Sequence, residues 1–333
     1  MRYRLARAAC RLLPGLVVAL ALPLAALAST CTGQADLSAQ DRNALGTVAG
    51  QMLADIFDDD TTGLRATLLP AEASAWDGIR AAVDQSVDLL KNGRPRLRSV
   101  YLLDVTSSGA DSSYYCTTAN SALTVTINMP GLTQGRYAVL LADAEGAPMA
   151  GQIGLVLAED GSVWKLAGLT IRPGALAGHD GLWYWSHARA LAQSDGWTAY
   201  YLYEAARNLL VPVDFLTSPN LDKLRQEQQQ VLSGPQKAFP VRLPDGDRTW
   251  KILAVGFDTT LHQPDLAVMY ESTGVTDPAA LRTEATAVLS SLLRAQPGLR
   301  ANFHGLWAVA SSGGTNTPIK NTPIMELPME KIP

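Results

Sequence analysis

Residues 123–129, LTVTINM, set Leu123, Val125, Ile127 and Met129 against Thr124, Thr126 and Asn128. Strict alternation fits a strand with one buried face and no helix, because only extended backbone sends successive side chains to opposite sides. Four further runs carry the same strand character: LRSVYLLDVTSS before it, then RYAVLLAD, GQIGLVLAED and SVWKLAGLTIRP. Short turn sequences such as AEGAP and EDGS separate the later runs. Connections that short suit an antiparallel meander, since a parallel crossover needs about a dozen residues or more.

Helices come first. In LSAQDRNALGTVAGQMLADIF, Leu45, Val48, Ala49, Met52, Leu53 and Ile56 form one stripe, with Ser38 and Asp41 as a capping pair. A second helix is expected from about Ser74 through Ile79, Val83, Val87 and Leu90, stopping at Gly93, where a left-handed residue costs least. Between them DDDTTGLRATLLP reads as a short helical step.

On FDDDTTGLRATLLP and GLVLAEDGSVWKLAGLTI, within the order helix, step, long helix and antiparallel sheet, the region 38–173 resembles the SnoaL-like and nuclear-transport-factor-like α+β cones. The resemblance implies a curved sheet wrapped around helices. It also implies that an enzyme of this kind would place a carboxylate, His or Tyr inside the cone as general acid or base. Tyr101, Tyr115 and Tyr137 are the pocket candidates on the strands, with Asp104 and Asp143 beside them. Tyr101 is expected to share a face with Leu97, Leu103 and Val105, and Asp104 to pair with Arg98 at the surface.

Residues 181–212, GLWYWSHARALAQSDGWTAYYLYEAARNLLVP, hold seven of the chain's 22 aromatic residues between Trp183 and Tyr203. Ala188, Ala199, Tyr203, Ala206 and the following Pro212 resemble one tetratricopeptide-type helical hairpin, with no second copy along the chain. A single repeat cannot bury its own face, so it must pack on a neighbour. Ala199, Leu202, Tyr203, Ala206 and Leu210 make the inward stripe of the second helix, leaving Trp197, Tyr200, Tyr201, Glu204 and Arg207 on other faces. Together with Trp183 and Trp185, those five are the candidate ligand-binding or interface residues. A mixed aromatic and charged face suits peptide or sugar binding, and equally a domain interface.

A helix capped by Ser218 with Pro219 at its first position follows, with Gly234 as its stop. RTWKILAVGFDTT and DLAVMYEST then read as strands. A helix with the stripe Leu281, Ala285, Val288, Leu289 and Leu292 comes next, and a strand near FHGLWAVAS. That β-β-α-β order suggests a small α/β sandwich. The tail repeats Asn-Thr-Pro-Ile and holds four prolines, which marks an extended arm or edge. The expected fold is therefore α+β. A leader at 1–28, a cone at 36–174, a hairpin region at 178–235, the β-β-α-β unit at 236–312 and the Pro-rich tail at 313–333 compose it.

The leader carries four arginines, an apolar run from Leu12 and the small-residue site Ala26-Leu27-Ala28, the pattern of a secretory signal cut after Ala28. Pro14, Pro23 and the shortness of the run argue against a membrane anchor, and no later segment reads as a transmembrane span. Removing residues 1–28 takes away four Arg and no acid, moving the formal charge from -4 to -8. An acidic chain without a Lys/Arg block is not expected to bind nucleic acid. Cys10 leaves with the leader, so Cys31 and Cys116 remain, an expected disulfide in an oxidising compartment. The alternative is a lipid-anchored chain modified at Cys31.

No nucleophile elbow, phosphate-cradling glycine loop or metal-spaced Cys/His set stands out, so no metal and no cofactor is expected. His179 and His187, eight residues apart, fall about 80° off a common helix face. The sequence thus points to an extracytoplasmic, non-enzymatic binding or scaffold protein for a protein, peptide or small apolar ligand. The alternative is a small-molecule enzyme, of isomerase, hydratase or hydrolase type, working with Tyr and Asp in the cone pocket.

Overall fold

A computed structural model describes residues 29–109, 113–117, 124–231, 239–312 and 320–333. The leader, Cys10, Leu123 and the Gly234 stop lie outside the described residues. The class is mixed α+β, and no helix of the described residues is long and apolar enough to cross a membrane.

Strand β1 (Thr30–Gly33) precedes α1 (Ala39–Phe57), α2 (Thr61–Ala66), a 3₁₀ turn (Pro70–Ala75) and α3 (Trp76–Leu90). The Ser38 hydroxyl accepts from Asp41 N and Asp60 accepts from the amides of Thr62 and Gly63, so side chains satisfy the open N–H groups of α1 and α2. α1 buries Leu45, Ala49, Met52, Leu53 and Ile56. In α3 the buried stripe is Ile79, Val83, Ser86 and Leu90, which leaves Val87 exposed. The left-handed residue after α3 is Asn92 at φ 61° and not Gly93. Gly93 is required for space instead, since a Cβ there would sit 3.0 Å from Ala147 Cβ and 3.1 Å from Ala144 Cβ.

Strands β2 (Arg94–Val105), β3 (Ser113–Thr117), β4 (Thr124–Asn128), β5 (Gly135–Glu145), β6 (Gln152–Asp160) and β7 (Val163–Arg172) follow. The first sheet has the order β1-β2-β5-β6-β7, and every pairing in it is antiparallel. Residues β3 and β4 do not join it. They form a separate sheet with β10 (Leu216–Thr217), laid over the first sheet's second face. α1 to α3 cover one face through Leu45, Met52, Val83, Val100, Leu140 and Leu155. Tyr101, Leu103 and Val139 meet Tyr114, Val125, Ile127 and Val213 on the other. A disulfide between Cys31 and Cys116 ties β1 to β3.

A register shift between Leu97 and Ser99 alters the expected face assignment. One extra residue reverses the in/out parity of a strand, so Leu97 packs on the helix side with Val100 and Leu102 while Tyr101 points the other way. It also redirects the charges. Asp104 lies opposite Arg136 and accepts from its Nε at 3.2 Å, whereas Arg98 pairs with Asp143 at 3.0 Å.

A two-residue pair of strands, β8 (Ala175–Leu176) and β9 (His179–Asp180), leads to α4 (Gly181–Leu191), α5 (Gly196–Leu210) and, after β10, α6 (Pro219–Val231). Strands β11 (Val241–Asp245), β12 (Arg248–Asp258) and β13 (Asp265–Glu271) precede α7 (Pro278–Ala295) and α8 (Leu299–Asn302). β14 (Gly305–Ser312) and β15 (Lys320–Pro328) close the chain. Their sheet runs β11-β12-β13-β14-β15, parallel only at β13·β14, where α7 makes the crossover. The proline-bearing β15 takes the edge, where a missing N–H costs no ladder bond. One apolar cluster joins this sheet to α7 and to the aromatic helices, including Trp197, Tyr201, Tyr270, Val288 and Leu306.

Candidate functional site

Helix α4 begins where Asp180 accepts from Trp183 N, and α5 where Asp195 accepts from Thr198 N. Gly181 lets the two helices meet, since a Cβ there would come within 2.5 Å of Leu210 Cγ. Their aromatics divide into two sets.

The larger set is interior. Trp197 is 5 % exposed, and Tyr184, Trp185, Tyr201 and Tyr203 are also buried. Trp197 and Tyr201 were expected on outlying faces of α5; they are in the core because α4, α6 and the C-terminal sheet enclose that helix. Tyr201 donates its hydroxyl to Val255 O at 3.3 Å, and Tyr184 donates to Leu176 O at 3.1 Å. Burial pushes the Tyr184 phenol up to about 12 and raises Tyr201 further. Tyr200 is half-buried, edge-on to Tyr201. Glu204 accepts from Arg207 at 2.8 Å and from the Gln228 amide at 2.5 Å. The Trp185 indole donates to Glu227 at 2.7 Å, and Arg189 both lies 4.3 Å over its ring and binds the same carboxylate at 2.7 and 2.8 Å. Arg189 first, and Trp185 with it, hold the Glu227 carboxyl below its usual value against the opposing effect of burial.

The smaller set is a ridge. Leu182 is 59 % and Trp183 39 % exposed. The Trp183 indole is held between two imidazoles, stacked on His179 at 3.7 Å and on His187 at 4.8 Å. His187 is fixed in turn by Asn302 Oδ1 at 2.7 Å. Clefts flank Leu182 on two sides, each of about 380 Å³. One is lined by Arg96, Arg98, Asp143 and Asp180, the other by Trp185, Ser186, Arg189 and Lys223. A rigid, part-exposed indole beside charged recesses presents apolar area at low ordering cost.

The three tyrosines considered for a pocket are not brought together. Tyr101 is packed between the two N-terminal sheets, and burial raises its phenol. Tyr115 points outward and is 70 % exposed. The Tyr137 hydroxyl lies 2.8 Å from Thr133 Oγ1 and 3.1 Å from its carbonyl. None of the three lines either flanking cleft, nor the clefts of about 560 Å³ beside α3 and about 580 Å³ between α3 and β12.

One grouping escapes the sequence entirely. Asp265, His304 and Glu326 are separated by 39 and 22 residues, yet one ligand atom from each falls within 4.8 Å of the others. Burial, then the Asp265 charge, raises the Glu326 carboxyl, with His304 and Lys331 opposing. Only strand order could have found it, because adjacency of β13, β14 and β15 creates it.

Compared with known proteins, the chain matches no family model, no curated protein and no solved structure. What the fold and site define is a disulfide-tied α+β protein with an exposed aromatic ridge, and a disulfide is compatible with an extracytoplasmic location.

Proposed function

We propose that this chain is an extracytoplasmic, non-enzymatic binding or scaffold protein, released by cleavage after Ala28, whose protein or peptide partner docks on the Leu182–Trp183 ridge of α4. In this reading residues 36–174 serve as a SnoaL-like cone and 181–212 as a tetratricopeptide-like pair, both used as a rigid mount. The observation that carries it is the contrast within one helix pair. Six of seven aromatics are wholly or partly buried in packing, while Trp183 is held by His179 and His187 with its surface left open. Such anchors carry a disproportionate share of interface energy.

The test uses parent protein and the double variant Leu182→Ser, Trp183→Ser as baits in the native extracytoplasmic fraction. Both should melt alike, and a partner retained by the parent should be absent from the variant. Equal recovery with both baits would refute the ridge as the docking face.

A further inference from the structure

The acid and histidine grouping on the C-terminal sheet leaves two buried carboxylate oxygens without a partner among the described residues. Asp265 heads β13, His304 immediately precedes β14, and Glu326 lies on β15. His304 is itself positioned from two sides: its N–H donates to Pro264 O at 3.0 Å and its carbonyl accepts from Met329 N at 2.9 Å. Between the carboxylates stands Gly305, where a Cβ would lie 2.3 Å from Glu326 Oε1 and 3.1 Å from Asp265 Oδ1. Both acids therefore reach into the space above that glycine.

His304 Nδ1 is 3.0 Å from Asp265 Oδ1 and 3.9 Å from Glu326 Oε1. One ring N–H can serve one of these oxygens well. The Asp265 side chain is 0 % exposed, and its Oδ2 has no hydrogen-bond partner among the described residues. Glu326 Oε1 is buried and equally without one among the described residues. Two carboxylates with ligand atoms within 4.8 Å of each other, each with a buried oxygen lacking a partner among the described residues, are a costly arrangement unless positive charge is supplied.

We infer that Asp265, His304 and Glu326 form a binding site for one divalent transition cation of the zinc class. One imidazole nitrogen with carboxylate oxygens is a donor set that zinc accepts at bond lengths of about 2.0–2.2 Å. Tetrahedral ligands at that radius are roughly 3.3 Å apart, so the His304 spacings of 3.0 and 3.9 Å need small side-chain adjustment, and the two carboxylates, whose ligand atoms lie within 4.8 Å of each other, close onto the ion. His304 is part-exposed, which gives the ion a way in. Each ligand comes from a different one of three adjacent strands or their ends, so the ion staples β15 to the sheet. Arg300 acts beside it, donating to the carbonyls of Met329 and Ile332.

Chelator-treated, dialysed full-length protein titrated with zinc chloride, and separately with manganese and calcium chlorides, tests this by calorimetry and thermal melting. The expected result is one equivalent of zinc bound in the micromolar range or tighter, with a raised melting temperature. Glu326→Gln and His304→Gln should each weaken binding by about tenfold or more, as loss of support at metal sites does. The parent provides a reading independent of any variant's folding: one of the four histidines' ring signals should shift or broaden with zinc, saturating at one equivalent. Absence of binding below 100 µM zinc, estimated as a generous ceiling for a preformed site, would overturn the inference. So would parent-like binding by both variants, or saturation through His179, His187 or His262 alone.

Discussion

Truncating Trp197 separates aromatics that hold the protein together from those that face a partner. Its ring packs at 5 % exposure against Tyr201 at 6.0 Å and Phe239 at 5.8 Å, inside the cluster joining α4, α5 and the C-terminal sheet. Removing a buried indole to Ala costs about 3 to 5 kcal/mol. The Trp197 Nε1 is buried without a partner among the described residues, so the parent already carries a desolvation penalty of about 1 to 3 kcal/mol that the variant sheds. The net expectation is about 3 kcal/mol or slightly less, taking the upper half of the truncation range against the lower half of the relief. For a chain of this size, with an unfolding entropy of about 2.1 cal/mol/K per residue, that is a drop in Tm of roughly 4 to 5 °C. Trp183→Ala, at an exposed position, should move Tm by about 2 °C or less. Far-UV circular dichroism melts of parent and both variants read this directly. A Trp197→Ala protein that melts with the parent would refute the packing argument, and so would a Trp183→Ala protein that falls as far as Trp197→Ala.

Three further outcomes follow from the same geometry. Replacing Cys31 and Cys116 with Ser opens a loop spanning a separation of 85 residues, for an expected loss of about 4 to 5 kcal/mol measured by urea denaturation; an unchanged midpoint would contradict the tie between β1 and β3. Gly154→Ala places a Cβ 2.3 Å from Val213 Cγ1 in the core, so overpacking should cost about 1 to 3 kcal/mol by the same assay, and no loss would mean that residues 212–216 are free to move. Arg136 donates to Asp41, Asp104 and Glu159, and its hydrogen bond, with that of Ser38, lowers the Asp41 pKa. A lowered folded-state pKa contributes stability above the unfolded value of about 3.9, lost as pH falls through the folded value. Arg136→Gln should therefore be less stable than the parent at pH 6, with the gap closing below about pH 4; a gap independent of pH would refute the linkage.

Features set by local chemistry were readable along the chain. The buried stripe of α1, the Ser38 cap and the Ala285–Val288–Leu289–Leu292 stripe of α7 depend on residues within a few turns of each other. Features set by the neighbour were not. Nothing in RPRLRSVYLLDV announces the bulge that reverses Leu97, because a bulge is a relation between β2 and β5. Asn92 took the left-handed position that Gly93 was expected to fill, since Ala144 and Ala147 claim the space above the glycine. Helix α5 reads as one-sided by its small-residue stripe, yet packing on several sides buries Trp197 and Tyr201 as well. At the candidate site the aromatic density was visible, but which indole stays open was decided by the positions of His179, His187 and Asn302.

The docking claim is tested most directly by photocrosslinking in the native compartment. A photoreactive phenylalanine derivative placed at Leu182 or Trp183 should yield one discrete covalent adduct with a second protein, while the same group at Val163 or Tyr115, both exposed on other faces, should yield none. Adducts of equal yield at all four positions, or at Val163 and Tyr115 alone, would contradict a partner seated on the α4 ridge.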